Sequence, residues 1–372
     1  MGWQENVIQY RRDLHRIPEL GFQEVKTHAY LWERLQSFGL EPQAIGGTGI
    51  MADIKGNQAG KTVALRADMD GLPLQEETAE PFISEHAGIM HACGHDGHMA
   101  ILLALAERLS EDRNFAGTVR VFFQPSEEKL PGGAPTLIKE GVLEGVDTVY
   151  GLHLWADDPV GWVGLRPGAV MANADQFTIR IHGVGGHGSQ PQVTKDAVLI
   201  ASQTVVNLQT IVSRRLGAFE PAVVTCGTIK GGQNFNIIAE NAEVTGTVRT
   251  FSLETQATVL AEITRIAERT AALYDATAEV DYVKGYPVVI NHEREANAWA
   301  ERLRGLVDVQ GPEPNPGGED FAYYLQHRAG AFLFLGCGQD DNSSAPHHSP
   351  HFTINERALP LGVEVLYRAI EI

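Results

Sequence analysis

Long apolar runs are missing from this 372-residue chain. None approaches the roughly 18–20 residues that a membrane span requires, so no membrane partner is expected. The opening is not apolar either. Gln4, Glu5, Asn6, Arg11, Arg12 and Asp13 make it polar and of mixed charge, no secretory signal is read in it, and a cytoplasmic location is the expectation. Cysteine is scarce: Cys93, Cys226 and Cys337 are odd in number and far apart, which argues against a disulfide framework and leaves each thiol to be read singly. Positive charge is also short. Lys and Arg total 29 against 47 Asp and Glu, and the net charge of -18 repels nucleic acid and anionic membranes at long range. An anionic substrate would need a local basic group or a metal to hold it. No internal repeat or low-complexity tract is visible.

What is present is ordinary globular material, 43% hydrophobic and 20% charged, in a length that allows two domains or one large core with an insertion. Helical spacing of Phe22, Val25, Ala29, Trp32, Leu35 and Phe38 predicts an amphipathic helix over 22–38, stopped by Gly39. Short runs rich in Val, Leu and Phe at 62–67, 118–123, 146–152 and 331–335 read as buried strands, with helices at 99–109 and 136–139 between them. Strand–helix alternation of this kind predicts an α/β domain with a mostly parallel sheet covered on both faces. The middle differs: a strand at 176–181, a helix at 196–212, strands at 222–229 and 242–250, a helix at 254–274 and a strand at 278–283. That β-α-β-β-α-β order is the ferredoxin-like one, so residues 174–285 read as a small α+β domain inserted between 1–173 and 286–372.

Histidines cluster. The run His91-Ala92-Cys93-Gly94-His95-Asp96-Gly97-His98 packs imidazole, thiol and carboxylate, the groups that Zn, Mn, Ni or Co accept, into one short segment. Alone it could be a histidine-rich loop without metal. Other candidates, however, follow the predicted strands: Asp68 and Asp70, then Glu127 and Glu128, then His153, and after a loop His347, His348 and His351. In open α/β sheets ligands bind beyond the carboxyl ends of the strands, and a merely solvated acidic face would scatter its carboxylates along helices. Taken alone, the pair Glu127-Glu128 reads first as a surface or helix N-terminal pair; but adjacent carboxylates on a loop point different ways, so one can bind metal while the other faces a water. A metal lowers the pKa of water towards ~7, and a carboxylate beside it can take the proton and pass it to a leaving amine.

With these segments in hand, the chain resembles the metal-dependent aminoacylase and hippurate-hydrolase family, which includes indole-acetyl-amino-acid hydrolases and N-acetyl-diaminopimelate deacetylases. The resemblance runs through RRDLHRIPELGFQE, ALRADMDGLP, HACGHDGH, FQPSEE, GLHLW, GVGGHGSQP, GGQNFNIIAE, GTVRT, GGEDFAYYL and HHSPHF, in that order. It implies a metallopeptidase-like catalytic domain holding two divalent ions, with Cys93, His95, Glu128, His153 and His348 as ligands and Cys93 between the two. It implies Glu127 as general base and then acid, and Asp70 as the carboxylate that orients a ligand. His91, His98, His347 and His351 remain loop or outer residues. The inserted domain is a lid and dimerisation domain in that family, so a homodimer is expected, with His187 stabilising the oxyanion and Asn236 and Arg249 gripping the amide and carboxylate of the substrate. Two positions depart from the family: Ala239 stands where proline is common, and Gly188 where alanine follows GGH.

The expected reaction is hydrolysis of the amide of an N-acyl amino acid. Glu127 would take the proton of the attacking water, metal and His187 would stabilise the oxyanion at about 3–4 kcal/mol per donor, and lid closure would exclude solvent. Rival readings are a dipeptidase or carboxypeptidase on the same metals, a cysteine hydrolase using Cys93 with a histidine, and a binding module without catalysis. A binder, however, has no use for the Glu127-Glu128 pair and His187.

Overall fold

The computed structural model describes residues 2–340 and 343–371, and the chain divides into two compact units. One comprises Met1–Val170, Val289–Glu313 and Asp320–Ile372; the other comprises Met171–Val288 and Pro314–Glu319.

The first unit is built on an eight-stranded mixed sheet. At its centre lie four parallel strands, in the spatial order Ala116–Gln124, Gln58–Asp68, Thr148–Pro159 and Ala329–Gly338. Antiparallel strands flank them, Gly49–Lys55 on one side and Trp162–Gly164 on the other. The central strands are almost continuously apolar because helices cover both faces. In Gln58–Asp68 every residue from Val63 onward is buried, and in Ala329–Gly338 every residue after the first. Helix His95–Glu111 is a core element, fully buried from Met99 to Ala106, and it packs against helices Trp3–His15 and Ala358–Ala369.

Three differences from the sequence reading trace to buried polar residues or strand pairing. Helix Trp3–His15 escapes a periodicity search because its inner stripe is Val7, Tyr10, Arg11 and Leu14, with a cation in the apolar face. The run His95–His98 is the first turn of a helix and not a loop, with Gly94 at φ +90 turning the chain into it. Strand Thr148–Pro159 passes through His153 because pairing with Ala329–Gly338 continues to Pro159, although the apolar run stops at Leu152.

The buried Arg11 has a partner. Its Nε donates to Asp96 Oδ2 at 2.8 Å, and His15 Nδ1 lies 2.8 Å from the same oxygen. This pair ties the N-terminal helix to the turn that carries His95. Leaving one charge of such a pair alone costs on the order of 3–5 kcal/mol. Asp96→Asn is therefore expected to lower unfolding free energy by about that amount, read from the urea midpoint at unchanged slope. A loss under about 1 kcal/mol would mean that the pair is not what holds the helix.

The second unit is a four-stranded antiparallel sheet, in the order Ala222–Gly231, Asn241–Thr250, Asp175–His182 and Thr277–Val283. With helices Ala197–Thr210 and Leu253–Ala272 it has the ferredoxin-like topology that the sequence order predicts. Strand Asp175–His182 alternates strictly, burying Phe177, Ile179 and Ile181 in a core shared with Ile200, Ile263 and Ala267. Each helix starts on a side-chain cap: Asp196 accepts from the N–H groups of Val198 and Leu199, and Ser252 from that of Thr255.

Candidate active site

Parallel strands finish on a common edge, and the acidic and imidazole groups collect there. Asp68 ends its strand opposite Gln124. The pairing of strand Thr148–Pro159 with Gln58–Asp68 stops at Gly151 opposite Arg66, so His153 continues at the height of Asp68. The turn after Gln124 delivers Glu127 and Glu128, and helix His95–Glu111 begins beside them.

Among the described residues five sets of three ligand atoms have their members within 4.8 Å of one another, Asp68–His95–His98 and Glu127–Glu319–Asp320 included, and two of the five meet at one thiol: Cys93, His95 and His153 in one, Cys93, Glu128 and His348 in the other. Cys93 belongs to both. Its Sγ is 3.4 Å from His153 Nε2, and Glu128 Oε1 is 3.2 Å from His348 Nε2. Glu127 forms a further set of this size with His95 and Glu128, and it is almost fully buried.

Each imidazole is oriented by what its other nitrogen does. His95 Nδ1 donates to the main-chain carbonyl of Asp70 at 2.9 Å, leaving Nε2 buried with no hydrogen bond. His153 Nδ1 donates to the Leu154 carbonyl at 2.7 Å, which turns Nε2 towards Cys93. The histidines outside the two sets are occupied differently. His98 accepts the Leu154 N–H on Nε2 at 2.8 Å and gives Nδ1–H to Asp68 at 2.6 Å, so both of its nitrogens are used. His347 accepts the Ala156 N–H on Nε2 at 3.2 Å and places Nδ1 3.8 Å from Cys93 Sγ, where it can donate to sulfur. His351 lies away at the surface near Glu77, and His91 is buried with neither nitrogen hydrogen-bonded.

Asp70 does more than the sequence suggests. Its carbonyl orients His95, while its carboxylate accepts the N–H of Glu127 at 2.9 Å and that of Glu128 at 3.0 Å. Beneath the site runs a buried polar network that sequence reasoning missed. Arg66 donates to Asp68, Gln124 and Asp320 at 2.6, 2.9 and 2.9 Å, and Gln124 donates to Asp320 in turn. Its one sequence signal is an arginine in the middle of a buried strand.

The electrostatics ask for cations. Burial, followed by the charges of Glu128, Glu127 and Asp68, raises the Cys93 thiol well above its usual pKa. Burial disfavours charge on His95 too, yet Asp68, Asp70 and Glu128 outweigh it and push its pKa up to about 10. Burial and the neighbours His98 and His347 hold His153 neutral, far below its ordinary value. Thiol, imidazole and carboxylate crowded around a hydrogen-bond-free His95 Nε2 suit a pair of divalent ions.

The second unit brings two of its three predicted residues together: His187 and Asn236 lie beyond the His182–Asn241 end of its sheet, whereas Arg249 lies at the opposite, Asp175 end. His187 pairs with Ile237, and the Gly188 N–H donates to the Asn236 carbonyl at 2.8 Å. A Cβ at Gly188 would stand 3.0 Å from that oxygen, so glycine here permits the close approach. His187 Nδ1 accepts the Ser189 N–H at 3.2 Å, which puts its proton on Nε2 in an exposed position. Arg249 lies on strand Asn241–Thr250, half-buried, bonded to Thr247 and the Val248 carbonyl.

Comparison with known proteins identifies the family. Residues 64–372 match the model of peptidase family M20/M25/M40. The N-acetyl-L-cysteine deacetylase of Bacillus subtilis is 40% identical over 370 residues, 98% of this chain and 88% of its own. The N-acyl-L-amino acid amidohydrolase of Geobacillus stearothermophilus is 45% identical over 290 residues, covering 77% and 78% of the two chains. Among solved structures, the Bacillus subtilis YXEP protein, described as a dinuclear metal binding peptidase of the M20 family, superposes with a TM-score of 0.88 at 37% identity, covering 99% and 97%.

Proposed function

The chain belongs to the M20/M25/M40 peptidase family, and on that premise we propose that it is a metal-dependent amidohydrolase that splits N-acyl amino acids into a carboxylate and a free amino acid. The observation that carries this reading is the pair of ligand sets meeting at Cys93, with the Glu127 carboxylate beside them. Cys93, His95 and His153 would hold one ion, and Cys93, Glu128 and His348 the other. A thiolate ligand would favour Zn, Co or Ni, while imidazole and carboxylate would also admit Mn. Two such ions, when bound, would supply Lewis acidity and would lower the pKa of water.

The chain's own groups do the rest. Glu127 accepts the proton of the attacking water and delivers it to the amine as the C–N bond breaks. Asp70 keeps Glu127 and Glu128 apart in orientation by holding both amides. His187, with its Nε2–H free, is the donor for the oxyanion. Asn236 is the contact for the amide, and Arg249, with no carboxylate bonded to it among the described residues, the counter-ion for the substrate carboxylate. All three belong to the second unit, which we read as the lid and dimerisation domain; because Arg249 lies at the opposite end of its sheet from His187 and Asn236, they would reach one substrate from different protomers of a dimer. The unit's outer strand Ala222–Gly231 has one unpaired edge, and Val198, Leu199 and Val206 of the neighbouring helix are exposed. An open edge beside exposed aliphatics suits a homodimer. A thiolate ligand is best preserved in a reducing compartment, which favours the cytoplasm. No helix among the described residues is long and apolar enough to cross a membrane.

Paired assays test the reading. An N-acetyl amino acid should be hydrolysed faster than a dipeptide with the same C-terminal residue. Chelation should abolish that turnover, and Zn, Mn, Co or Ni should restore it. Faster dipeptide cleavage would make the protein a peptidase. Activity that survives chelation but not thiol alkylation would make it a cysteine hydrolase.

A further inference from the structure

Glu24 sits immediately before helix Val25–Ser37, a position where a carboxylate commonly caps the first turn. It does not cap. That task falls to Glu19, whose Oε2 accepts the N–H groups of Lys26 and Thr27 at 2.9 and 3.0 Å. Glu24 is instead wholly buried, with Oε1 accepting the Ser126 N–H at 3.0 Å and Oε2 accepting the Thr48 hydroxyl at 2.5 Å. Ser126 is the residue before Glu127. It is held at φ +55, a left-handed conformation that side-chain-bearing residues avoid unless their surroundings impose it. The segment leading to Glu24 presses on it as well, since a Cβ on Gly21 would lie 2.5 Å from Ser126 Oγ.

Successive amides therefore end on two buried carboxylates: Ser126 on Glu24, then Glu127 and Glu128 on the two oxygens of Asp70. We infer that Glu24 is a positioning residue for the reaction, locking the Ser126 turn so that Glu127 faces the reacting water while Glu128 faces the metal. This rests on the reading of Glu127 as the proton carrier. Without the Ser126 anchor the turn relaxes towards an extended backbone and the Glu127 carboxylate swings from its place. A misplacement of about 1 Å in a reacting group is enough to cost on the order of a hundredfold in rate.

The test uses the metal-loaded enzyme with Glu24→Ala, Glu24→Gln and Glu24→Asp. Glutamine keeps an oxygen at the same reach for the Ser126 N–H. Aspartate keeps the charge but is one methylene short, which keeps the question answerable if the alanine variant does not fold. For alanine and aspartate we expect kcat to fall about 10–100-fold, with KM and metal content near the wild-type values. Glutamine should restore most of the rate. Deuterium exchange across residues 125–129 should quicken in alanine and aspartate but not in glutamine. Wild-type kcat in the aspartate variant, losses that follow metal content, or glutamine as impaired as aspartate would each overturn the inference. Should the wild type hydrolyse no N-acyl amino acid, the reading of the reaction falls, and the exchange measurement decides the Glu24 anchor by itself.

Discussion

Replacing Glu127 by glutamine should leave both ions bound and lower kcat by about 10²–10⁴-fold, the contribution expected of a positioned general base and acid. Glutamine is nearly isosteric, and the anchor of this residue is its main-chain N–H on Asp70, which the substitution leaves in place. The side-chain amide can still accept a hydrogen bond from water, but it cannot take the proton. Binding should survive, so the loss should appear in kcat while KM changes little. Glu128→Gln should behave in the opposite way. Glu128 Oε1 lies 3.2 Å from His348 Nε2 and 3.9 Å from His95 Nε2, in the middle of the ligand atoms, so weakening it should cost metal before it costs chemistry. Metal stoichiometry beside steady-state rates separates the two carboxylates. A Glu127→Gln enzyme keeping more than roughly a tenth of the wild-type kcat would remove Glu127 from the proton path.

These neighbouring glutamates also show what the sequence can and cannot tell. Their adjacency on a post-strand loop indicates divided duties, and the ladder of apolar strands indicates that both lie at the carboxyl edge of a sheet. How their orientations are fixed is not legible, because the fixing groups are remote. Asp70 holds two of the amides from 57 and 58 positions away, and Glu24 holds the third from 102. Glu24 closes the RRDLHRIPELGFQE segment, but nothing local ties it to residue 126. It looks like a helix cap, and only the folded chain shows that Glu19 has that role. The choice of His348 over its neighbours has the same origin. In the sequence only the family motif, and nothing in the spacing, separates His348 from His347, whereas in the structure His347 is stacked on Trp155 with Nε2 already receiving an N–H from Ala156. His348, its N–H tied to the Ala92 carbonyl and its φ at +64, presents its ring to Glu128. The ferredoxin-like unit was easier to read, since its strands alternate and each of its two helices begins on a capping Asp or Ser. The polar stripe of the N-terminal helix hid that element for the converse reason, a charge buried where periodicity expects an aliphatic group.

Loading the site with metal should expel about two protons at pH 8. Without ions, Cys93 is a thiol, because burial and then the charges of Glu128, Glu127 and Asp68 raise its pKa. His95 is an imidazolium, because the carboxylates around it prevail over burial and hold its pKa at about 10. A metal ion accepts thiolate and neutral imidazole, so each ligand must lose one proton. His153 is already neutral and contributes none. The sign follows directly: the ion-free state holds the extra protons, so raising the pH favours the loaded state. Apparent affinity should climb by up to about 100-fold per pH unit while both groups are protonated. The slope should fall to about half once the pH passes the His95 pKa near 10. Acidification runs the same linkage backwards, so enzyme brought to pH 5 should shed its ions and lose the thermal stability that they confer. Calorimetric titration of chelator-stripped protein in buffers of different ionisation enthalpy counts the protons. Cys93→Ser should reduce the count and weaken uptake of both ions together, since its sulfur belongs to both ligand sets. If uptake released no protons, or if Cys93→Ser left either ion bound at wild-type affinity, the shared thiolate would be ruled out.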